Sequence, residues 1–176
     1  MKNLKEPSSD INLLSAVLTR RKPWNRPNLP VYSVSSRHLD AANMNIITYA
    51  TAVSMKPKRF LCAIYKGTKT LENVTATQHF ILQLLASHQY PLVKLLGQQS
   101  GKKIDKIKKI GAKALIQWNG FEVLKDALAL MEMKVIHSFD GGDHICFLCD
   151  VVAAKNSNNG EGLNLEILRQ KKIIRA

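Results

Sequence analysis

Short runs of alternating or continuous apolar residues, punctuated by polar and glycine-containing stretches, dominate the chain from residue 31 onward. "VYSVSSRH" (31–38) predicts a first strand, and "NIITYATAVS" (45–54) a second, with a turn around Asp40 to Asn43 and with Pro57 closing the second strand. "RFLCAIY" (59–65) alternates as a third strand, after which "KGTKTLENV" (66–74) changes from a glycine-containing loop to the start of a helix. "HFILQLLAS" (79–87) is an apolar run compatible with either element and is assigned to strand. Residues 88–109 carry a helical pattern with Pro91 in the first turn, interrupted at Gly97 and Gly101. Two further strands, "ALALMEMKVIHSF" (127–139) and "DHICFLCDVVAA" (143–154), are joined through Asp140, Gly141 and Gly142 as a hairpin. A last helix, "LNLEILRQ" (163–170), follows the polar loop "KNSNNGEG". Upstream of all this, residues 1–30 read as a helix, "DINLLSAVLTRR", and a connector in which Pro23, Pro27 and Pro30 forbid regular helix.

Many short strands with few intervening helices predict a mainly β domain over 31–176, preceded by the arm of residues 1–30. Closure into a full or partial barrel is the arrangement that removes the exposed edges so many strands would present. Long alternating βα units are absent, as are the G-x-G-x-x-G and G-x-x-x-x-G-K patterns, so a Rossmann or P-loop site is not expected.

Composition sharpens this picture. A chain of 176 residues, 45% of them hydrophobic, builds one ordinary core. The apolar runs fall well short of the roughly 20 residues needed to span a membrane, and the first residues lack a signal-peptide order. Three cysteines are too few for a disulfide framework, so the expected compartment is the cytoplasm. The net charge is +13, concentrated in "TRRKPWNR" (19–26), "GKKIDKIKKIGAK" (101–113) and "LRQKKIIR" (168–175). A nucleic-acid surface could look like this, but aromatic residues are only 6% and never interleave with the basic ones. The excess is therefore assigned to solvated faces that attract small anions.

Three motifs carry candidate chemistry. The C-x-x-C of "GGDHICFLCDVV" lies in a predicted strand, where residues three apart face opposite sides roughly 10 Å apart. Cys146 and Cys149 then share neither a metal nor a disulfide; no second ligand pair is present, and both read as small core residues, as does Cys62. His144 opens the same strand, on the face of Cys146, Leu148 and Asp150, as a rim residue or a catalyst. In "YKGTKTLENV", Thr70 is the expected N-cap of a helix beginning at Leu71. Thr68, Thr70 and Lys66 or Lys69 could surround a phosphate at its free amides, although an ordinary capped helix has the same sequence.

Taken in order, "NIITYATAVSMKP" (45–57), "FLCAIYKGTKTLENV" (60–74), "FILQLLASHQ" (80–89) and "GGDHICFLCDVVAA" (141–154) resemble the flavin reductase-like family of FMN-binding split β-barrels, which are Greek-key barrels. The closing "LEILRQKKII" is similar to the tail of some members. The resemblance implies a flavin, FMN or FAD, held non-covalently across a homodimer, with NADH or NADPH as co-substrate. It also implies that Asn45 and Thr48 match polar positions of the first flavin segment and that Thr51, Ala52, Val53 and Ser54 line the flavin. Lys66, Thr68 and Thr70 match the phosphate end, and His144 the histidine near which nicotinamide meets the ring. Three positions depart from the pattern: Gln83 replaces an asparagine, Ala52 a hydroxyl residue, and Lys56–Pro57 a double proline. The implied activity is transfer of reducing equivalents from NAD(P)H to flavin, serving a partner oxygenase or another electron acceptor. The alternatives are an FMN-binding electron carrier that does not use nicotinamide itself, and a basic nucleic-acid-associated protein.

Overall fold

The structure, a computed structural model, describes residues 22–175. The expected helix over 10–21 lies outside these residues. β1 (Tyr32–His38) and β2 (Ala41–Ile47) form a hairpin in which His38 already pairs with Ala41, so the turn is Leu39–Asp40 alone. The expected turn through Asn43 and the single strand over 45–54 are both corrected. Asn43 and Asn45 are buried strand residues, and the second segment is two strands, β2 and β3 (Ala50–Ser54), separated by Thr48 and Tyr49. Asparagine prefers turns, but a buried carboxamide with a tertiary partner outweighs that preference, and Asn43 has such a partner in Thr70.

β4 (Arg59–Tyr65) returns along β3 through a bulge between Ala52 and Ser54. It is followed by α1 (Lys69–Thr77) and β5 (His79–Leu84). The helical stretch after β5 divides into a short 3-10 turn, α2 (Leu92–Gln98) and α3 (Lys106–Ile110). Gly97 sits inside α2 rather than breaking it. A hairpin not foreseen from the sequence follows: β6 (Leu115–Trp118) and β7 (Phe121–Leu124), joined by Asn119–Gly120 with φ of 46° and 83°. Asn-Gly with both φ positive is the pairing that matches strand twist in a two-residue turn. The long β8 (Ala129–Asp140) and β9 (His144–Asn156) form the expected hairpin, and α4 (Leu165–Gln170) the expected last helix.

Seven strands form one antiparallel sheet in the order β2-β1-β5-β8-β9-β4-β3. β2 and β3 are its opposite edges, yet only Thr48 and Tyr49 separate them in the chain. From Ile47 to Ala50 the chain reaches at most about 11 Å, so the sheet must curl until its edges come close. This is a barrel with one open seam.

Around β5 both faces of the sheet are covered. Phe80 and Leu82 of β5 pack with Val34, Ile64, Met133 and Phe147, while Ile81 on the other face joins Val31, Met44, Leu96, Val123 and Leu163. A strand buried on both faces is continuously apolar, which is why "HFILQLL" lacks alternation. Each fully buried large side chain here contributes roughly 1.5–3 kcal/mol through removal from water. Cys62 and Cys149 lie in the first cluster and all three cysteines are free thiols. A hydrogen bond with the Cys149 thiol, followed by burial, pushes the Cys62 thiol well above its ordinary range. The connector is tied to the C-terminal segment: Leu165 N donates to Leu29 O, and Arg169 Nη2 to Asn25 O. Among the described residues, no helix is long and apolar enough to cross a membrane.

Candidate functional site

β4 ends at Tyr65, and Gly67, at φ +80°, turns the chain into α1. The helix cap is Thr68, not Thr70: its Oγ1 accepts from Leu71 N at 3.2 Å and its hydroxyl donates to Tyr65 O at 2.9 Å. The helix starts two residues earlier than expected because Thr68 is the last residue with extended backbone after the Gly67 turn. Thr70 is fully buried behind the turn, where Asn43 Nδ2 donates to its Oγ1 at 2.8 Å. Asn73 continues this internal network, donating to Ser36 Oγ and Ala41 O.

In front of the turn is a cavity of about 210 Å³. Asn45, Tyr65, Lys66, Thr68 and Lys69 line one side, residues 97–101 the other, and Lys106 completes it. The 97–101 segment approaches β2 so closely that a Cβ on Gly101 would lie 2.1 Å from Asn43 Oδ1. Lys106 is only 3% exposed, its Nζ donates to Leu96 O at 2.5 Å, and it has no carboxylate partner among the described residues. Burial pulls its pKa down to about 8. Lys69 is 3.6 Å from Glu72, whose carboxyl is held below its ordinary value chiefly by a hydrogen bond from Lys102.

Lys66 links this cavity to the β8–β9 turn. Its Nζ donates to both carboxylate oxygens of Asp140, at 3.0 and 2.8 Å, and its backbone N to Asp143 O. Asp140 Oδ1 also accepts from Gly142 N, and these bonds hold its carboxyl below the usual range, Lys66 having the larger effect. His144 pairs opposite Tyr65 across β4 and β9. Its ring stands edge-on to Tyr65 at 5.2 Å and to Tyr49 at 5.3 Å, while Nδ1 is 2.6 Å from Asp143 Oδ1. Beyond Tyr49 is a second cavity of about 300 Å³, lined by Trp24, Thr48, Tyr49, Arg169 and Arg175 among others.

The fold therefore brings Asn45, Lys66 and Thr68 to one cavity, places Thr70 behind it, and sets His144 against the Tyr65 ring that borders it. Thr48 lines the second cavity instead. Thr51, Ala52 and Val53 are exposed on edge strand β3 with Ser54 half-buried, and none of the four lines either cavity. Sequence reasoning missed Asn43, Tyr49, Tyr65 and Lys106. Among the described residues no cluster of His, Cys, Asp or Glu could hold a metal ion. What the first cavity can do is bind a compact anion: three lysines line it beside the first turn of α1.

Comparison with known proteins bears on the fold that carries this cavity. The model of the family described as Flavin reductase like domain matches residues 25–171. A Nostoc sp. (strain PCC 7120) protein named as a diflavin flavoprotein, A 3, is 26% identical over 130 residues, covering 73% of this chain and 22% of its own length. The chain thus spans about a quarter of the length of the curated relatives it matches. Among solved structures, the NADH:FAD oxidoreductase of Streptomyces globisporus C-1027 superposes with a TM-score of 0.72 at 19% identity, covering 93% of both chains. The FMN-binding protein of Thermus thermophilus does so with 0.69 at 21% identity, covering 89% of this chain and 80% of that one. With its curled antiparallel sheet, open seam and matched family model, the chain belongs to the flavin reductase-like domain family and has the fold of the FMN-binding split β-barrels.

Proposed function

We propose that this protein is an oxidoreductase that binds FMN and passes reducing equivalents from NADH or NADPH to flavin. The observation that carries the reading is the lysine-lined cavity at the β4–α1 turn, adjoined by the Tyr65–His144–Tyr49 cluster. A buried ammonium with no carboxylate partner among the described residues, beside a helix N-terminus, fits the phosphate of a flavin nucleotide. Lys66, Thr68, Lys69 and the first-turn amides of α1 would hold that phosphate, with Asn45 beside it.

When bound, the flavin supplies the hydride-accepting ring, and the protein supplies orientation and electrostatics. The Lys66–Asp140 pair and the bond from Lys66 N to Asp143 O fix the phosphate turn relative to the turn that carries His144. Asp143 holds Nδ1 of His144, which leaves Nε2, without a hydrogen-bond partner among the described residues, as the nitrogen able to hold or give a proton. We place Thr48 and Thr51 to Ser54 along the ring's path on the strength of the family resemblance. A homodimer fits the exposed apolar side chains of β3, β8 and β9, among them Val53, Ile136, Phe139 and Val152. Free thiols and reliance on nicotinamide suit the cytoplasm.

Visible absorbance of the purified protein, taken anaerobically with FMN and then with NADH or NADPH, tests the proposal. Bound flavin that bleaches on adding nicotinamide supports it. Flavin that binds but is not reduced favours the electron carrier, and failure to bind FMN refutes both.

A further inference from the structure

The second cavity, beyond Tyr49, has a lining that the flavin reading leaves unused. Lys22 and Trp24 of the connector and Arg169 and Arg175 of the C-terminal segment meet there with Thr48 and Tyr49. Three of the lining residues are cations, and none is an aspartate or glutamate. Arg169 is the innermost of the three by exposure: its side chain is 8% exposed, Nη2 donates to Asn25 O at 2.9 Å, and Nη1 is 3.4 Å from Glu166 Oε2. Those contacts leave part of its fork of five N–H donors unused. Lys22 and Arg175 have no ion-pair partner among the described residues. Cations gathered around a concavity without matching carboxylates repel one another and attract an anion. The same wall carries exposed rings, Trp24 at 71% and Tyr49 at 53%. An aromatic face left in water beside cations is a platform on which a nucleobase stacks. Tyr49 also ties this cavity to the first site, since its ring is 5.3 Å from that of His144. A solvated basic face accounts for exposed lysines, but not for a buried guanidinium set in a concave wall with an indole.

We propose that this cavity receives the adenosine end of NADPH, with Trp24 against the adenine and Lys22, Arg169 and Arg175 around the 2′-phosphate, so that the protein selects NADPH over NADH. The inference rests on the flavin reading given above and goes beyond it in naming the nicotinamide nucleotide and the residues that choose it. FMN carries a single phosphate, which that reading assigns to the first cavity, so the anion received here belongs to another molecule. Glu166 offsets one of the three cations, and the remaining charge matches a phosphate dianion. Of the two nicotinamide nucleotides, only NADPH has a phosphate on the ribose that carries its adenine. A stacking ring beside a cationic set therefore reads one end of one nucleotide. Arginine suits the task because its planar fork meets two phosphate oxygens at once. The nicotinamide end then lies on the His144 side of Tyr49 and the adenosine end on the other.

The test has one arm that needs no flavin. The full-length, flavin-free protein is titrated with adenosine 2′,5′-bisphosphate and with 5′-AMP, by calorimetry and by tryptophan fluorescence. The bisphosphate should bind on the order of tenfold or more tightly than AMP, the worth of a charged hydrogen bond, and should perturb Trp24 emission. In the second arm, FMN-loaded protein is reduced by NADPH and by NADH, and kcat/KM should favour NADPH by a similar factor. Lys22 and Arg175 are both exposed, so the double variant Lys22→Ala with Arg175→Ala should fold as wild type does. It should lose on the order of tenfold to a hundredfold for the bisphosphate and for NADPH, with a far smaller loss for AMP and NADH. Trp24→Ala should weaken the bisphosphate and AMP alike. Equal affinity of wild type for the bisphosphate and AMP, a wild-type preference for NADH, or a parallel loss for both nucleotides in the double variant would each overturn the assignment. Normal flavin reduction without any of this selectivity refutes the assignment alone. Failure to bind FMN, with selective bisphosphate binding that the double variant loses, refutes the flavin reading and leaves the cavity an adenosine-phosphate site.

Discussion

At the scale of single residues, the two threonines of the β4–α1 turn have separate tasks that their spacing conceals. Thr68 ends an extended segment and caps α1, so Thr68→Ala should cost about 1 kcal/mol in urea denaturation. Thr70 accepts from a buried carboxamide, and Thr70→Val should cost about 1–3 kcal/mol by stranding Asn43 Nδ2. His144→Ala should leave FMN affinity intact and slow reduction by NADH, measured by stopped-flow absorbance. Reduction at the wild-type rate would confine His144 to its edge contacts with Tyr49 and Tyr65. Lys66 and Thr68 could be read as anion-binding candidates because a glycine and two hydroxyls between a strand and a helix carry a local mechanism. Lys106 could not. A lysine window reads as solvated surface, and nothing within "IDKIKKI" distinguishes the one ammonium that the approach of residues 97–101 encloses.

At the scale of elements, legibility followed how local the determining interaction is. The Asp140–Gly141–Gly142 hairpin was visible because turn residues impose it from within. The Asn119–Gly120 turn has an equally local signal in "WNGF", but its flanking strands, four residues each, are too short to show a period of their own. The division of 45–54 into β2 and β3 was not local at all: it follows from which edges Ile47 and Ala50 occupy in a sheet assembled from the whole chain. Two glycines test how elements meet around the cavity. Gly101→Ala drives a Cβ against Asn43 and should cost about 1–3 kcal/mol, with FMN affinity falling as the wall shifts. Gly67→Ala meets no atom within 4 Å, so only its φ of +80° resists, at about 1–2 kcal/mol. Comparing the two by denaturation and flavin titration separates steric from backbone cost.

At the scale of the whole molecule, mainly β composition and the wish to avoid free edges were enough to predict a barrel, and the family resemblance named which one. A partly open barrel and the helices of 88–109 were expected, but the β6–β7 hairpin of the flanking layer was not, since it depends on packing across opposite faces of β5. The charge of +13 acts at this scale too: FMN association should slow several-fold between about 20 and 500 mM salt, and salt-independent rates would show that the excess charge does not steer the ligand. The strand order has one further consequence, for the birth of the chain. Among the described residues β4 has β3 and β9 as its sheet neighbours, and Arg59 meets its partner Asp150 across 91 residues. Such distant pairing makes folding slow. Until the ribosome has released β9, the hairpin of β3 and β4 therefore presents Phe60, Cys62 and Ile64 beside an unpaired edge, and a chain stalled near residue 140 is a client for chaperones rather than a barrel in waiting.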